Sequence, residues 1–444
     1  MWNLYAFYGF MSACFQLPEV ALRMFLLQNL GVGPSAYGFI ISMGGIPWAL
    51  KPIIGVAVDM NPYRKQSVVL SGIAILVPWL FIGFGFTTSS HAISALIGVS
   101  SLGLCYADVV CDAELVNMVK KEDNSDVGKL QSNCWIARAV GSTVAAVFGA
   151  VIVYGMSARH ALLFTPLAGI AACICLYRFP FPSRSCEGCG EAKKKAIDLK
   201  KALSSEHLAR PCIFIFVLCA VPSYGATMMA FLQSELKFTP LQFMIIDISG
   251  HAAHGFGAVL FKKKMRNFSF RYIFMGGILT DVALQGIQIM LIYRVNTRAH
   301  VPDLFLAVCE TISGAVIGQV MMMPICILAA RNCPPHIEAT LYSTVMAISN
   351  MGGLCAMWSG AWMTRILRIT STDFHKLGEL SIICVISSAI PLLFVRFMPL
   401  ISATSATDDT VEIELTERHT DSLQTGQVQD SLVNQRYKQS RQKT

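Results

Sequence analysis

The chain has 444 residues, of which 54% are hydrophobic and 14% are charged, and its mean hydropathy is +0.55. A soluble domain carries roughly 25% charged residues, so the surface of a soluble protein cannot be built from this sequence. The composition equally excludes a disordered protein, a secreted disulfide scaffold and a nucleic-acid-binding domain. The net charge of +8 needs no nucleic acid as partner, because most Lys and Arg residues fall in short segments beside apolar runs.

Apolar runs long enough to cross a bilayer, about 20 residues each, predict an all-α membrane protein with twelve spanning helices. The first six cover 3–30, 37–59, 66–87, 92–118, 131–155 and 160–178, and the second six cover 211–233, 240–261, 272–293, 303–330, 337–364 and 378–398. We predict an N-terminal six-helix bundle (1–178), a cytosolic linker (179–209), a C-terminal six-helix bundle (210–398) and a disordered, polar cytosolic tail (399–444).

Basic residues are enriched in cytosolic loops, and here most of them fall on the side of the predicted bundles that holds both chain termini. We therefore expect both termini in the cytosol. The chain enters an apolar run almost directly after Met1, and no cleavable signal peptide is evident. The plasma membrane is the default location, and an organelle membrane stays open.

Four charged residues are predicted inside the bilayer, where a charge costs at least ~2.5–3.5 kcal/mol and is usually paired or lines a water-filled path. At about 1.5 Å per residue, Lys51, Asp112 and Arg138 lie at similar depth, roughly 12–14 Å from the cytosolic end. Asp108 lies one turn deeper, on the same helix face as Asp112. Two hypotheses stay open: a structural charge cluster that joins helices 2, 4 and 5, or groups that meet a substrate or coupling ion.

A faint repeat relates the two halves. Gly55-x-x-x-Asp59-x-x-x-x-Arg64 closes helix 2, and Gly257-x-x-x-Phe261-x-x-x-x-Arg266 closes helix 8. The same offset places Glu310 of helix 10 at the position that corresponds to Asp108. Two homologous six-helix halves are the plan of the major facilitator transporters.

Other polar groups in apolar runs have more than one interpretation. Glu19 and Arg23 are four residues apart and can form a self-satisfied intrahelical pair. Asp247, His251 and His254 share a face of helix 8, where packed polar groups or a proton relay are favoured over a metal site, since further ligands are lacking.

Motifs for enzyme chemistry are absent from the sequence, which contains no GxSxG, GxxxxGK[ST] or HExxH. The one CxxC, Cys186-Glu-Gly-Cys189, lacks a second pair nearby, so reduced loop thiols are favoured over zinc. We predict no enzyme activity, no cofactor and no metal.

Several motifs together resemble the folate–biopterin transporter family, a branch of the major facilitator superfamily. They are Trp48-Ala-Leu-Lys51-Pro52-Ile-Ile-Gly55-Val-Ala-Val-Asp59, Ala107-Asp108-Val-Val-Cys-Asp112-Ala113, Gln131-Ser132-x-Cys-Trp135-x-x-Arg138-x-x-Gly141-Ser142 and Pro324-x-x-x-Leu328-Ala-Ala-Arg331-x-Cys-Pro334-x-x-Ile337-Glu338-Ala-Thr340. Two positions depart from the family pattern: Val58 replaces a Ser, and Asn117 replaces an acidic residue for which Glu114 is a candidate substitute. These departures bear on the substrate more than on the fold.

The resemblance implies a monomeric secondary transporter in the lipid bilayer that carries folate, biopterin or a related small molecule by alternating access, with protons as the possible coupling ion. The implied substrate-binding or coupling residues are Lys51, Asp108, Asp112, Arg138 and Glu310, and the gating residues are Gly55, Asp59, Arg64 and Lys65. The alternatives are a transporter of another charged metabolite such as S-adenosylmethionine, a non-transporting membrane sensor, and a membrane enzyme.

Overall fold

The computed structural model describes residues 2–119, 129–181, 197, 199–200, 204–331, 338–370 and 372–402. The CxxC pair, most of the predicted linker and nearly all of the predicted tail lie outside the described residues. Within the described part of the chain, nine helices are long and apolar enough to cross a membrane. The all-α membrane fold predicted from the sequence is therefore confirmed.

Within the described residues, the first half of the chain forms eight helices. They are α1 (Trp2–Met24), which continues into a π-helical segment (Phe25–Asn29), α2 (Pro34–Met43), α3 (Ile46–Ala49), α4 (Lys51–Met60), α5 (Arg64–Gly83), α6 (Ser90–Val119), α7 (Lys129–Gly155) and α8 (Ala158–Tyr177). The start of α1 and the end of α4 lie at the end of the bundle that the sequence assigns to the cytosol, called here the predicted cytosolic end. The opposite end is called the predicted outer end.

The part of the second half that the structure describes forms nine more helices. A capping box between Thr239 and Gln242 fixes the start of one of them,. The helices are α9 (Glu206–Cys219), α10 (Gly225–Ser234), α11 (Pro240–Leu260) with a π-helical segment (Phe261–Met265), α12 (Phe270–Leu284), α13 (Gly286–Ile292), α14 (Val295–Arg298), α15 (Asp303–Arg331), α16 (Glu338–Ile366) and α17 (Leu377–Ser387), followed by a 3-10 helix (Ile390–Phe397).

Three predicted spans differ from simple apolar helices, so the count of twelve stays a prediction at these places. Span 2 is broken into α2, α3 and α4, span 7 is broken into α9 and α10, and α16 at span 11 is not among the nine apolar helices. In span 2 the break follows from Pro47 and Pro52, each of which lies in the first turn of a new helix. Proline cannot donate the backbone hydrogen bond that a continuous helix needs.

A broken backbone inside a membrane is tolerated only where protein groups satisfy its exposed carbonyls. Here the side chain of Ser101 donates to the Gly44 carbonyl, and Asn350 of α16 donates to the Trp48 carbonyl at 3.2 Å. Cys105 Sγ lies 3.3 Å from the Pro47 carbonyl oxygen. The break is therefore supported from α6 and α16, and it fixes the start of α4 at Lys51.

Helices α1 and α7 pack together along their lengths, and glycine permits their closest approach. A Cβ atom on Gly141 would lie 2.0 Å from the Gly9 carbonyl oxygen, and one on Gly149 would lie 2.7 Å from the Leu17 carbonyl oxygen. The two backbones are thus in direct contact, as is common where membrane helices meet through small residues.

The hydrophobic core follows the predicted halves. One cluster draws its buried residues from Leu4 to Leu176, and two others draw theirs from residue 208 onward, apart from Val116. The halves meet where α7 packs on α11 and where α16 packs on α2, α3 and α4. The exact division at 1–178 and 210–398 remains a prediction.

Candidate functional site

A cavity of about 620 Å³ lies in the middle of the protein. Its wall comes mainly from the first half of the chain, and Met322, Tyr342, Met346 and Asn350 contribute from α15 and α16. Cavities that hold small ligands usually measure ~300–1,000 Å³. The cavity between the halves is therefore large enough for a small molecule.

The four charged residues singled out from the sequence form one cluster on the wall of this cavity. Lys51 Nζ lies 2.6 Å from Asp108 Oδ2 and 3.2 Å from Asp112 Oδ2. Arg138 Nη2 donates to Asp108 Oδ1 at 2.8 Å. The two cations and two anions neutralise one another, which makes the burial of four charges tolerable.

Aromatic side chains complete the cluster. The Tyr8 hydroxyl donates to Asp112 Oδ1 at 2.7 Å, so every carboxylate oxygen of the two aspartates has a partner within the cluster. The Arg138 guanidinium carbon lies 4.3 Å from the Tyr8 ring centre and 5.1 Å from that of Trp135. Lys51 Nζ lies 4.9 Å from the Trp48 ring centre. Desolvated cations gain from such contacts with aromatic faces.

Arg138 is more exposed to the cavity than the other three charged residues of the cluster. The side chains of Lys51, Asp108 and Asp112 are 4%, 1% and 6% exposed, whereas that of Arg138 is 20% exposed. Arg138 also has five N–H donors in a planar fork. It is therefore the member of the cluster that can most readily accept an anionic group from the cavity.

The residues predicted to gate the cytosolic side lie near one another but have different partners. Asp59 Oδ2 accepts from the Thr340 backbone N–H at 3.2 Å and from its hydroxyl at 2.7 Å, which links α4 to α16 of the other half. Arg64 forms an ion pair with Glu114, the residue that the sequence offered as a substitute acid. The remaining two are Gly55, which is buried in α4, and Lys65, whose Nζ lies 5.5 Å from the Tyr177 ring centre.

Glu310 is not brought to the charge cluster. It lines a separate small pocket in the second half, together with Gln288 and Gly225. Tyr224, just before this pocket, donates to Gln288 and accepts from Ser381 at 2.9 Å. The repeat therefore relates Glu310 to Asp108 in sequence without placing both on one cavity.

Arg23 faces the other half near the predicted outer end. Its guanidinium lies 3.3 Å from Glu19, as the spacing on α1 predicted, and 3.9 Å from Asp247 of α11. It also lies 5.0 Å from the Phe243 ring centre. Sequence reasoning found the intrahelical pair and missed the contact between the halves. Among the described residues, no group of three or more His, Cys, Asp and Glu could hold a metal ion.

Neutral polar residues of the cavity wall were also missed from the sequence. Gln16, Trp79, Ser100 and Gln131 all line the cavity, and each is at most 6% exposed. Gln131 belongs to one of the motifs quoted from the sequence, where no role was assigned to it. Gln16 and Trp79 stand singly within apolar runs, and Ser100 is followed by Ser101, so no signal in the sequence set these three residues apart.

Solved structures of transporters share the arrangement of helices found here. The proton:xylose symporter XylE, described as a major facilitator superfamily protein, aligns with a TM-score of 0.65 at 12% identity over 92% of this chain and 98% of its own. A bacterial homologue of the iron transporter ferroportin aligns with a TM-score of 0.60 at 13% identity over 89% of this chain and 97% of its own. This likeness and the apolar helices define a multi-pass membrane protein with the major facilitator fold.

Sequence comparison then gives the family. The model of the BT1 family matches residues 13–418. A protein of Synechocystis sp. named "Folate-biopterin transporter" is 30% identical over 408 residues, which cover 90% of this chain and 82% of that protein. "Probable folate-biopterin transporter 4" of Arabidopsis thaliana is 25% identical, over 84% of this chain and 90% of that protein. The chain belongs to the BT1 family, and the resemblance found in its motifs is confirmed.

Proposed function

We propose that the protein is a secondary active transporter that carries a folate- or pterin-type molecule through the central cavity by alternating access. The observation that carries this proposal is the cluster of Lys51, Asp108, Asp112 and Arg138 on the cavity wall. The names of the relatives in Synechocystis and Arabidopsis support the same class of substrate.

The chemistry of such a substrate suits the cavity. A pterin has a planar ring with a 2-amino-4-oxo edge that presents donors and acceptors, and folate adds two carboxylates at its far end. Carboxylates are bound well by Arg and Lys, especially by the fork of Arg. The cluster offers Arg138 and Lys51 as cations for these carboxylates, and Tyr8, Trp48 and Trp135 hold the two cations against their ring faces,.

Alternating access requires contacts between the halves that form and break at the two ends. Asp59 with Thr340 supplies such a contact at the predicted cytosolic end. Near the predicted outer end, Trp358 Nε1 donates to Ser42 Oγ at 3.1 Å. We propose that the first contact, with Gly55, Arg64 and Lys65 around it, belongs to the cytosolic gate.

The finer features of the proposal come from the sequence. We propose a monomer in the plasma membrane with both termini in the cytosol, acting as a transporter and not as an enzyme. Protons are the proposed coupling ion, and Glu310, in its separate pocket of the second half, is the proposed coupling group. A buried carboxylate that stands apart from the substrate cavity can bind and release a proton while the substrate site is occupied.

The test is uptake of labelled folate and biopterin into proteoliposomes that hold the purified protein, with an inward proton gradient. Lys51→Ala serves as the site variant, and Lys376→Ala, which changes an exposed lysine of a predicted outer loop, serves as its matched control. We expect gradient-driven accumulation that is lost in Lys51→Ala and retained in Lys376→Ala.

If folded protein accumulates neither compound, the pterin assignment is wrong, and a panel that begins with S-adenosylmethionine follows. Binding without accumulation would instead favour a membrane sensor. Accumulation that is unaffected by the proton gradient would leave the transport proposal standing and remove protons as the coupling ion.

A further inference from the structure

Four neutral side chains of the cavity wall each leave a buried polar atom without a partner. These atoms are Gln16 Nε2, Trp79 Nε1, Ser100 Oγ and Gln131 Oε1, and within the described part of the chain none has a hydrogen-bond partner. Their residues are 5%, 6%, 1% and 3% exposed, and all four line the central cavity. Buried polar groups are almost always paired in native proteins, so four unpaired atoms on one cavity indicate a partner that comes from the cavity itself.

Three of these residues, all except Gln131, lie at matching depth although they come from α1, α5 and α6. Ile75 lies close to Gly103 and to Gly169, and Cys14 is also close to Gly169, which sets one common level. Trp79 is one turn beyond Ile75, Ser100 is about one turn before Gly103, and Gln16 is half a turn beyond Cys14. Given the directions of the helices, each step leads toward the predicted outer end. We call Gln16, Trp79 and Ser100 the neutral triad.

The neutral triad is separated from the charge cluster along the bundle axis. Ser100 and Asp108 are eight residues apart on α6, and Gln16 and Tyr8 are eight apart on α1, which corresponds to ~12 Å in each case. The cavity therefore has two chemically different regions: uncharged donors toward the predicted outer end, and the charge cluster toward the predicted cytosolic end.

The hydrogen bonds already made within the charge cluster determine which part of a ligand can bind there. Both oxygens of Asp108 are taken by Lys51 and Arg138, and both oxygens of Asp112 are taken by Lys51 and Tyr8. The donor edge of a neutral ring would have to share each of these carboxylate oxygens with a donor of the cluster. Arg138, in contrast, keeps N–H groups beyond the one bonded to Asp108 and is partly exposed, so an anionic group can reach it.

We propose that the neutral triad binds the oxo-heterocycle of the substrate while Arg138 binds its carboxylate end. The indole of Trp79 and the amide nitrogen of Gln16 donate to ring acceptors such as a carbonyl oxygen or a ring nitrogen, and the Ser100 hydroxyl donates or accepts. A planar neutral ring at one end and a carboxylate about 12 Å away is the chemical pattern that this cavity selects. The inference rests on the proposed function, because that function identifies the ligand class.

Binding to the purified full-length chain tests this orientation. The probes are labelled folate, unlabelled 6-hydroxymethylpterin as the ring without the tail, and p-aminobenzoyl-L-glutamate as the tail without the ring, the last two measured by competition. The ring-side variants are Gln16→Met, Trp79→Phe and Ser100→Ala, and the tail-side variant is Arg138→Gln. Three independent ring-side variants keep the test valid if one of them does not fold.

Matched controls exist for each ring-side change. Gln319→Met alters a glutamine that is 4% exposed, and Ser94→Ala alters a serine that is 7% exposed; neither lines the cavity. Trp362→Phe alters a tryptophan that is 64% exposed. We expect folate affinity within about twofold of the wild type in all three controls, given how small the effects of changes away from a binding site usually are.

Each ring-side variant should weaken the binding of folate and of 6-hydroxymethylpterin by roughly 5- to 100-fold, which is the range expected for the loss of one buried hydrogen bond. Competition by the tail fragment should stay unchanged in these variants. Arg138→Gln should weaken competition by p-aminobenzoyl-L-glutamate and leave competition by 6-hydroxymethylpterin unchanged. Unchanged folate affinity in the ring-side variants overturns the orientation. So does a ring-side variant that weakens competition by the tail fragment and leaves competition by 6-hydroxymethylpterin unchanged. Either result leaves the transport proposal intact. A wild-type protein that binds neither folate nor the pterin overturns both.

Discussion

Replacement of Lys51 by methionine would test whether the charge cluster stabilises the fold. The Lys51 ammonium is 2.6 Å and 3.2 Å from two carboxylates, and its side chain is 4% exposed. Methionine is of similar length and apolar, so the packing of the side-chain stem is largely retained. What the change removes is the positive charge, which leaves Asp108 and Asp112 with Arg138 as the remaining cation of the cluster.

The expected magnitude follows from the burial of the pair. Removal of one partner of a buried ion pair typically costs ~3–5 kcal/mol, because the other charge is left uncompensated, whereas removal of both partners is often nearly neutral. We therefore expect Lys51→Met to lower the free energy of unfolding by about 3–5 kcal/mol. The double variant Lys51→Met/Asp112→Asn restores neutrality of the cluster and should regain most of that loss.

The assay is denaturant unfolding of the purified protein in mixed micelles, with a double-mutant cycle over the two positions. The control is Arg210→Met, since Arg210 pairs with Glu206 on the surface of α9 with side chains 57% and 77% exposed, and an exposed pair contributes ~0–1 kcal/mol. A cost below about 1 kcal/mol for Lys51→Met, in the range of an exposed pair, would refute this reasoning.

The same double variant separates the two interpretations of the cluster. If its only role is to hold α4, α6 and α7 together, the neutral double variant should regain folate uptake along with stability. If the charges contact the substrate, stability returns and uptake does not. We expect the second result, because the cluster lines the cavity and Arg138 is open to it.

Three further predictions concern the gate, the helix contact and the guanidinium. Asp59→Asn neutralises the carboxylate that accepts two hydrogen bonds from Thr340, so we expect the predicted cytosolic end to open more often. The measurement is the rate of thiol labelling at a cysteine introduced in place of Thr344, which should rise. Gly141→Ala would place a Cβ 2.0 Å from a backbone oxygen of α1, and the overpacking should cost at least ~1–3 kcal/mol of stability, measured by the same unfolding assay. Arg138→Lys keeps the charge but loses the planar fork, so folate uptake should fall at least about tenfold, which corresponds to ~1.4 kcal/mol.

Each of these has a control or a contrary outcome. Gly276→Ala is the control for Gly141→Ala, because a Cβ atom on Gly276 would have no other atom within 4 Å. It should leave the free energy of unfolding unchanged or raise it by up to ~1 kcal/mol, since alanine favours the helix. Equal costs for the alanines at 141 and 276 would contradict the close contact of α1 and α7. Labelling unaffected by Asp59→Asn would remove Asp59 from the gate, and full uptake with Arg138→Lys would show that charge alone suffices.

The sequence by itself determined the class of the protein and most of its elements. Long apolar runs with few charges can be stable only in lipid, and these runs predicted the nine apolar helices of the described residues close to their observed bounds. Lys51, Asp108, Asp112 and Arg138 could be grouped from counting alone, because a charge in lipid needs a partner at its own depth and helical rise converts sequence distance into depth.

Only the tertiary structure decided which groups actually meet. It places Glu310 in a pocket of its own, joins Arg64 to Glu114 and brings Asp59 to Thr340 of the other half. It also shows that Gln16, Trp79 and Ser100 line one cavity and that each has a polar atom without a partner among the described residues. Depth along a helix can be read from residue spacing, but contacts between helices depend on rotation and packing around the bundle. Neutral polar residues carry no electrostatic cost large enough to mark them in the sequence.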